Sequence, residues 1–410
     1  MPEADPQPAR HVDVLVVGGG IAGSALACAL SGHGLRIAVV EARPLPADLT
    51  DPEPGLAGFD VRVSALTPSS SELLMRLGAW REIEHYRVCP YRHMTVWDAE
   101  GTGRIDFDSA ELGLPALGTL VENAAVTAAL ASRLRAAPDI EVMAPRTVEQ
   151  VARTSDGVCV TLDNGTRCAA SLTVGADGAL SPLRERLGFA TREWSYRQRA
   201  IVATVETARY HADTAWQRFL TTGPLALLPL PDSAGRHYCS IVWSLDDDAA
   251  DGVLELTDSE FCATLGEAAE HCLGEIRASS PRVAFPLRQR HAVDYVDSGI
   301  ALVADAAHTI HPLAGQGINL GLADIDVLAQ VVLEGHERGL SPGAISVLQR
   351  YQRRRKGSNL AMMAAMDGFR HLFGSRQLPL RWLRNVGLRR ADALPPLKKR
   401  LMRHAMGMAE

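Results

Sequence analysis

No stretch of this 410-residue chain reaches the roughly 18 consecutive apolar residues that span a bilayer, so a transmembrane protein is not expected. Met1 to Arg10 lack the hydrophobic core of a signal peptide, and export is not expected either. The seven cysteines are an odd set without a C-x-x-C pair, which argues against a disulfide framework and a zinc site and for reduced, mostly structural thiols. A net charge of −6 gives no attraction for nucleic acid. With these classes set aside, 47% hydrophobic and 22% charged residues describe an ordinary soluble globular protein. Its length suits two domains, or one large α/β unit with an insertion.

Val12 to Val17 make an apolar strand pattern that runs into Gly18-Gly19-Gly20-Ile21-Ala22-Gly23 and then Ser24 to Leu30. This is G-x-G-x-x-G between a strand and a helix. Gly18 permits the tight turn, Gly20 lets the backbone approach a pyrophosphate, and Gly23 lets the helix pack closely on the sheet. Ile21 and Ala22 belong to the same site. A second strand, Arg36 to Val40, ends at Glu41, where an acid can hydrogen-bond an adenosine ribose, with Arg43 just beyond. Strand, helix, second strand and terminal acid together favour dinucleotide binding over a purely structural turn. No second fingerprint of this kind occurs, so any further dinucleotide must bind elsewhere.

Residues 304–324 repeat the theme of a strand, an acid and glycines. Gly299 to Ala304 end at Asp305; a turn with Pro312 follows; Gly315, Gln316 and Gly317 then precede Ile318, Leu322, Ile325 and Leu328 at helical spacing. The unpaired N–H groups and positive dipole end of that helix suit a group that carries or develops negative charge. Leu172 to Val174 likewise lead to Gly175-Ala176-Asp177-Gly178, then Ser181 and Arg184, which favours a second contact with the same cofactor over a plain turn. Arg62 is either a solvated cation or a ligand. Asn123 is either the N-cap of a helix over 124–135 or a cofactor contact.

From about Arg192 to Val283 the βαβ rhythm is lost: Ala200–Thr207, Leu225–Leu230 and Tyr238–Leu245 read as strands of a separate antiparallel layer. Within it Trp216, Gln217, Phe219, Leu228 and Pro229 are either an apolar substrate pocket or plain core. His308 and His311 suggest a metal, but no third ligand lies nearby in sequence and Pro312 interrupts any helix, so none is expected. Between Arg376 and Arg403 stand nine Lys or Arg against one acid, Asp392, interleaved with leucines. That composition reads either as contact with an anionic membrane surface or as a helical appendage packed on the chain or a sister subunit.

Taken in order, these segments resemble the FAD-dependent aromatic hydroxylases, and specifically their ubiquinone-biosynthesis branch, over roughly residues 11 to 408. His311-Pro312-Leu313-Ala314-Gly315-Gln316-Gly317-Ile318-Asn319-Leu320-Gly321 through Asp324 carries the resemblance most specifically. Asp60 to Leu66, Gly118 to Asn123, Gly175 to Arg184 and Trp216 to Phe219 also look like its motifs. Two departures stand out: Ala304 where relatives usually have Gly, tolerable if the backbone is extended there, and Asn123 where many relatives outside the branch place Arg. The resemblance implies an α/β fold, with a Rossmann-like FAD-binding domain (1–80, 105–190, 290–350), an inserted antiparallel-sheet substrate domain (81–104, 191–289) and a basic helical C-terminal tail (351–410).

It further implies that NAD(P)H reduces the flavin, that O2 adds to give a C4a-hydroperoxide, and that the distal oxygen passes to the ring of a polyprenylated phenol. Gly18, Gly20, Gly23 and Glu41 would hold the adenosine half of FAD, with Ile21, Ala22 and Arg43 also binding the cofactor, and Asp305 the ribityl–pyrophosphate region. Arg62 and Asn123 would lie near the cofactor, and Asp177-Gly178 would serve both FAD and the nicotinamide cofactor. Pro312, Gly315, Gln316 and Gly317, with Ile318 and Asn319, would lie against the isoalloxazine ring, with no acid or base assigned. The competing readings are an FAD-dependent dehydrogenase or reductase without oxygen insertion, and a flavin-bound scaffold in a biosynthetic complex. The expected location is cytoplasmic, with peripheral inner-membrane contact under the membrane reading of the tail.

Overall fold

The computed structural model describes residues 9–310, 316–374, 385, 387, 392 and 394–406. Strand β1 (Arg10–Val17) ends at the glycine turn from which α1 (Ile21–Leu30) departs, and β2 (Ile37–Val40) returns parallel to β1. Every residue of β2 is buried, as in a strand covered on both faces. β3 (Val63–Leu66) and β4 (Gly118–Glu122) form a small antiparallel sheet with Val88–Tyr91, and β4 runs directly into α2 (Asn123–Ala136). β5 (Arg167–Gly175) lies parallel to β1 on its other side, fed by the hairpin of Val148–Thr154 and Gly157–Leu162.

The chain then leaves this unit for a nine-stranded sheet. Its long central strand β6 (Thr191–Thr207) is followed by β7 (Thr214–Leu220), β8 (Gly223–Ser233) and β9 (Arg236–Asp246), each antiparallel to its sheet neighbour among β6–β9. Helices α3 (Asp247–Glu255) and α4 (Asp258–Ala268) precede β10 (Val283–Ala292), which pairs with the free side of β6. The strands His93–Asp98 and Arg104–Asp108 extend the far edge, the former parallel to β7. Side chains alternate across the sheet. Ile201, Ala203, Leu225, Leu227, Ile241 and Trp243 point to the back, where Phe261 and Leu265 of α4 cover them. Ala215, Ala226 and Leu228 point to the front, against Ala65, Cys89 and Leu120 of the small sheet.

β11 (Ile300–Leu302) returns to the first sheet beside β5, and β12 (His308–Thr309) pairs with the end of β10. Helices α5 (Gln316–Glu337), α6 (Ile345–Gly374) and α7 (Pro395–Ala405) complete the described chain. The main core joins β1, β2, β5 and β11 to α1, α2, α5 and α6 through Val14, Leu26, Val174, Leu302, Ile325 and Tyr351 among others. The fold is thus α/β, a Rossmann-like unit with an inserted antiparallel layer and a helical C-terminal region.

Local packing moves the expected domain edges. Trp80 and Ile83, three apart on the helix Trp80–Tyr86, are buried in the main core, so this helix belongs with the first unit. Arg104–Asp108 instead completes a hairpin of the large sheet, and α6 starts at Ile345, ahead of the expected edge at 351. Much of the basic run after residue 374 lies outside the described residues. The described part of the tail packs on the chain itself: Met402 and Met406 meet Leu117, and Lys398 pairs with Glu111 at 2.7 Å and Asp392 at 3.1 Å. No helix among the described residues is long and apolar enough to cross a membrane.

Candidate cofactor and substrate site

The glycine turn is built as its spacing requires. Gly18 has φ +107°, and a Cβ there would lie 2.3 Å from the Ala176 carbonyl oxygen; at Gly23 it would lie 1.8 Å from that of Gly18. A Cβ on Gly20 would meet nothing within 4 Å, so the space above the turn is open. Gly20 caps α1 without any side-chain hydrogen bond, which leaves first-turn amides for an anion. That space is a cavity of about 780 Å³ lined by Gly18, Gly19, Gly20, Glu41, Arg43 and Asp177, with others from the β2 and β5 ends. Glu41 is fixed at its rim: its carboxylate accepts the amides of Gly19 at 2.6 Å and Arg43 at 3.0 Å. Ile21 and Ala22, the first residues of α1, are half-buried against the main core.

Arg62 is presented by a tightly braced loop. Asp60 accepts the Ala124 amide at 3.0 Å, capping α2 from a distant part of the chain, and accepts the Arg62 amide at 3.2 Å. Glu122 accepts the Asp60 amide at 2.6 Å and pairs with Arg87 at 2.6 Å, and Arg87 lies 3.9 Å from the centre of the Phe59 ring. The N-cap position belongs to Glu122; Asn123 is the first helical residue, and its Oδ1 accepts the Ser64 hydroxyl at 2.7 Å. The guanidinium of Arg62, exposed to solvent, sits 5.9 Å from the Phe285 ring of β10 and thus faces the seam between the two layers.

Asp177 also lines the cavity. It accepts the Ser181 hydroxyl at 2.5 Å and the Leu183 amide at 3.0 Å, and burial raises its pKa despite these bonds. Gly178 follows with φ +83°. Arg184, 2% exposed, donates to the carbonyls of Ala306 at 2.9 Å and Ala179 at 3.0 Å, so it ties this motif to the Asp305 segment. Sequence spacing marked Arg184 only as the end of a motif; the bridge depends on a contact across 122 residues.

The Asp305 turn differs from expectation. Ala304 is not extended: its φ is +50°, the left-handed region that glycine enters freely and alanine does not. Asp305 itself is exposed, yet the protein packed around it raises its pKa, and the charges of His308 and Arg62 partly offset the rise. His308 is spoken for. Its Nε2 lies 2.5 Å from Asp324 Oδ2, an entirely buried carboxylate that also pairs with Arg355 at 2.7 Å. Burial pushes the Asp324 pKa up, but His308 and Arg355 outweigh it and bring it to about 2. His311, Pro312 and Gly315 lie outside the described residues, as does the side chain of Gln316.

Beyond that loop, a Cβ on Gly317 would meet nothing within 4 Å, and Ile318 is half-buried against the main core. Asn319 turns its side chain into β3, accepting the Thr67 amide at 3.0 Å and donating to the Ala65 carbonyl at 2.8 Å. That side chain is a staple between α5 and β3, leaving only the backbone of this residue for a ring.

The five residues read as a pocket do not share one surface. Trp216 lies on the back of the sheet, in the core covered by α3 and α4, edge-on to Trp97 at 6.1 Å. Pro229 follows the parity of Leu225 and Leu227 and also belongs to the back. Gln217, Phe219 and Leu228 face the front, but Leu228 packs under the small sheet and Phe219 stacks on Phe373 of α6 at 3.9 Å. The front of the sheet nearest Arg62 is made by residues not singled out from sequence: the exposed Phe285 of β10 and, buried beside it, Leu287 of β10 and Ala200 and Tyr196 of β6, with the half-buried Val242 of β9. Alternation of Phe285, Leu287 and Gln289 was the available signal.

A glycine turn that admits no side chain at Gly18 or Gly23, an open cavity above it, a strand-end acid on its rim and a second acid from the Asp177 motif fit the adenosine and pyrophosphate of FAD. Fold and site therefore define a Rossmann-type flavoprotein with an inserted sheet. A sequence profile described as an FAD binding domain matches residues 11–365, and the chain belongs to that family. Among its relatives, the 3-demethoxyubiquinol 3-hydroxylase of Escherichia coli is 38% identical over 97% of this chain and 99% of its own length. The ubiquinone hydroxylase UbiL of Rhodospirillum rubrum is also 38% identical, over 97% and 90%. In fold, a crystal structure of pqsL, a probable FAD-dependent monooxygenase from Pseudomonas aeruginosa, matches with TM-score 0.75 at 21% identity, covering 93% of this chain and all of the other.

Proposed function

We propose that this protein is an FAD- and NAD(P)H-dependent monooxygenase that hydroxylates the aromatic ring of a polyprenylated phenol or quinol intermediate in ubiquinone biosynthesis. The observation that carries the reading is the end-to-end 38% identity with the Escherichia coli 3-demethoxyubiquinol 3-hydroxylase. The balanced reaction takes the aromatic C–H, O2 and NAD(P)H with a proton to the phenol, water and NAD(P)+. Bound FAD supplies the electron transfer and oxygen activation.

The chain's own part is placement and shielding. The glycine turn, Glu41 and Asp177 hold the dinucleotide end, while Asp305 and Arg62, close enough to interact, would meet the rest of the cofactor. The amides that open α5, without intrahelical partners, are suited to negative charge on a reduced flavin. The front of the sheet around Ala200, Val242, Phe285 and Leu287 offers an apolar wall for a phenolic ring and excludes water. The basic run from Arg376, with its interleaved leucines, supports peripheral contact with an anionic membrane, from which a prenylated substrate is delivered; liposome sedimentation with neutral and anionic lipid tests that part.

The deciding experiment incubates the FAD-loaded full chain with a short-chain prenyl phenol, NADH or NADPH, and 18O2, followed by mass spectrometry. A product carrying one 18O is expected. NAD(P)H oxidation that leaves the ring unhydroxylated, with peroxide as the reduced oxygen product, would instead establish a dehydrogenase or oxidase. An absence of turnover even with chemically reduced flavin would leave the scaffold reading standing.

A further inference from the structure

We infer that Asp324 is a positioning residue for FAD: its carboxylate holds the turn at Ala304 in the conformation that presents Asp305 to the cofactor. The inference rests on the FAD site and is independent of the substrate reading. Residue 304 adopts φ +50° although it carries a methyl group, so neighbouring structure must impose a conformation that alanine resists. The neighbours that do so lie on one face of α5. Gly321 lets the helix approach, since a Cβ there would sit 2.9 Å from Ala304 Cβ. One turn later Asp324 Oδ2 accepts the Ala304 amide at 3.1 Å.

The same oxygen lies 2.5 Å from His308 Nε2, so a single atom spans the turn from 304 to 308, with Asp305 between its ends. The other oxygen cannot rotate away. It accepts from Arg355 Nε at 2.7 Å and Asn359 Nδ2 at 3.1 Å, two residues one turn apart on α6. Asp324 is wholly inaccessible to solvent and makes no contact with the cavity above the glycine turn. Its four donors converge from the Ala304 turn, β12 and α6. This arrangement fixes the turn before FAD arrives, which removes an ordering cost from binding.

The test is a double-substitution cycle on FAD affinity, read by flavin fluorescence on the apo full chain. In Asp324→Asn the Arg355 cation attracts the amide oxygen, leaving the NH2 group against the Ala304 N–H, and the turn relaxes. FAD should bind about tenfold more weakly, the scale set by the left-handed penalty for alanine. Ala304→Gly alone should stay within about threefold of the parent, because glycine accepts either conformation. Combined with Asp324→Asn, it should restore most of the lost affinity. A merely structural role for Asp324 predicts no such recovery. The proposal is overturned if Asp324→Asn binds FAD as the parent does, or if the glycine recovers nothing in its background. Should Asp324→Asn not fold, Arg355→Lys, which keeps the charge but frees the carboxylate, replaces it in the same cycle, and parent-like binding or a failed glycine recovery overturns the proposal there too. A parent protein that binds no FAD would refute the cofactor site itself, a separate outcome.

Discussion

Replacing Glu122 by glutamine offers a direct measure of how firmly the Arg62 loop is braced. The carboxylate and the Arg87 guanidinium approach to 2.6 Å with side chains only 5% and 10% exposed. At an effective dielectric constant near 20, opposite charges about 4 Å apart interact by roughly 4 kcal/mol. Glutamine keeps the shape and one acceptor, so part of the hydrogen bonding to Arg87 or to the Asp60 amide survives. The larger effect is the cation left behind without a counter-charge, since the Gly58 carbonyl at 2.6 Å, the Glu53 carbonyl at 3.4 Å and the face of Phe59 are neutral partners. Breaking a buried pair from one side costs about 3 to 5 kcal/mol, and with the surviving acceptor Glu122→Gln should cost about 3 kcal/mol by urea denaturation of the apo chain. Arg87→Met removes the stranded charge, so the double variant should be less destabilised than the sum of the singles by about 2 kcal/mol. Amide exchange at Asp60 and Arg62 should accelerate in Glu122→Gln. A loss below about 1 kcal/mol, or strict additivity with Arg87→Met, would refute the reasoning that this pair is a buried, coupled brace.

Two further outcomes follow from the site. Gly23→Ala places a methyl 1.8 Å from the Gly18 carbonyl oxygen, so α1 must move off the sheet and the phosphate turn with it; FAD affinity should fall well over tenfold, or about 1.4 kcal/mol and more, by fluorescence titration. His291 is buried, and that burial, with the charge of His308, lowers its pKa from 6.5 to about 4. The unfolded chain therefore takes up this proton first: stability is whole above pH 6.5 and falls as pH drops toward 4, by at most about 3 kcal/mol from this group. His291→Gln should flatten the pH dependence of the urea midpoint in that window, and an unchanged slope would show that His291 does not titrate with unfolding.

What the sequence disclosed and what it hid divide by distance along the chain. The glycine turn, Glu41 at the end of β2 and the start of α5 all follow from spacing within some thirty residues. Ala304 did not, because its left-handed turn is imposed by Gly321 and Asp324 on a helix further along the chain, and nothing local in Ala-Asp-Ala-Ala announces it. The cap of α2 was hidden for the same reason: its acceptor is Asp60, 64 residues from the amide it serves. Asn319 looked like a cofactor contact because the start of its helix was expected to be one, yet its side chain meets partners more than 250 residues away. Trp216 is a different case. Strand parity, which was readable, separates it from Gln217 and Phe219; grouping aromatic and aliphatic residues by composition merged two faces of one sheet.

These long-range contacts also explain how two layers built on different principles keep a fixed relation. α6 has 30 residues and so runs about 45 Å. Near its start, Tyr351 donates to the Leu302 carbonyl at 2.9 Å, and Arg355 and Asn359 hold Asp324, all on the cofactor side. Near its end, Asp367 accepts the Tyr196 hydroxyl at 2.6 Å and Phe373 stacks on Phe219, both on the inserted sheet. β12 makes a second tie, pairing His308 with His291 at the end of β10. The Asp305 turn is therefore clamped between a helix that reaches the sheet and a strand that joins it. Under the proposed function the ring to be hydroxylated and the flavin are held by different layers, and monooxygenation then demands such registration, because reacting atoms must be held about 3 to 3.5 Å apart.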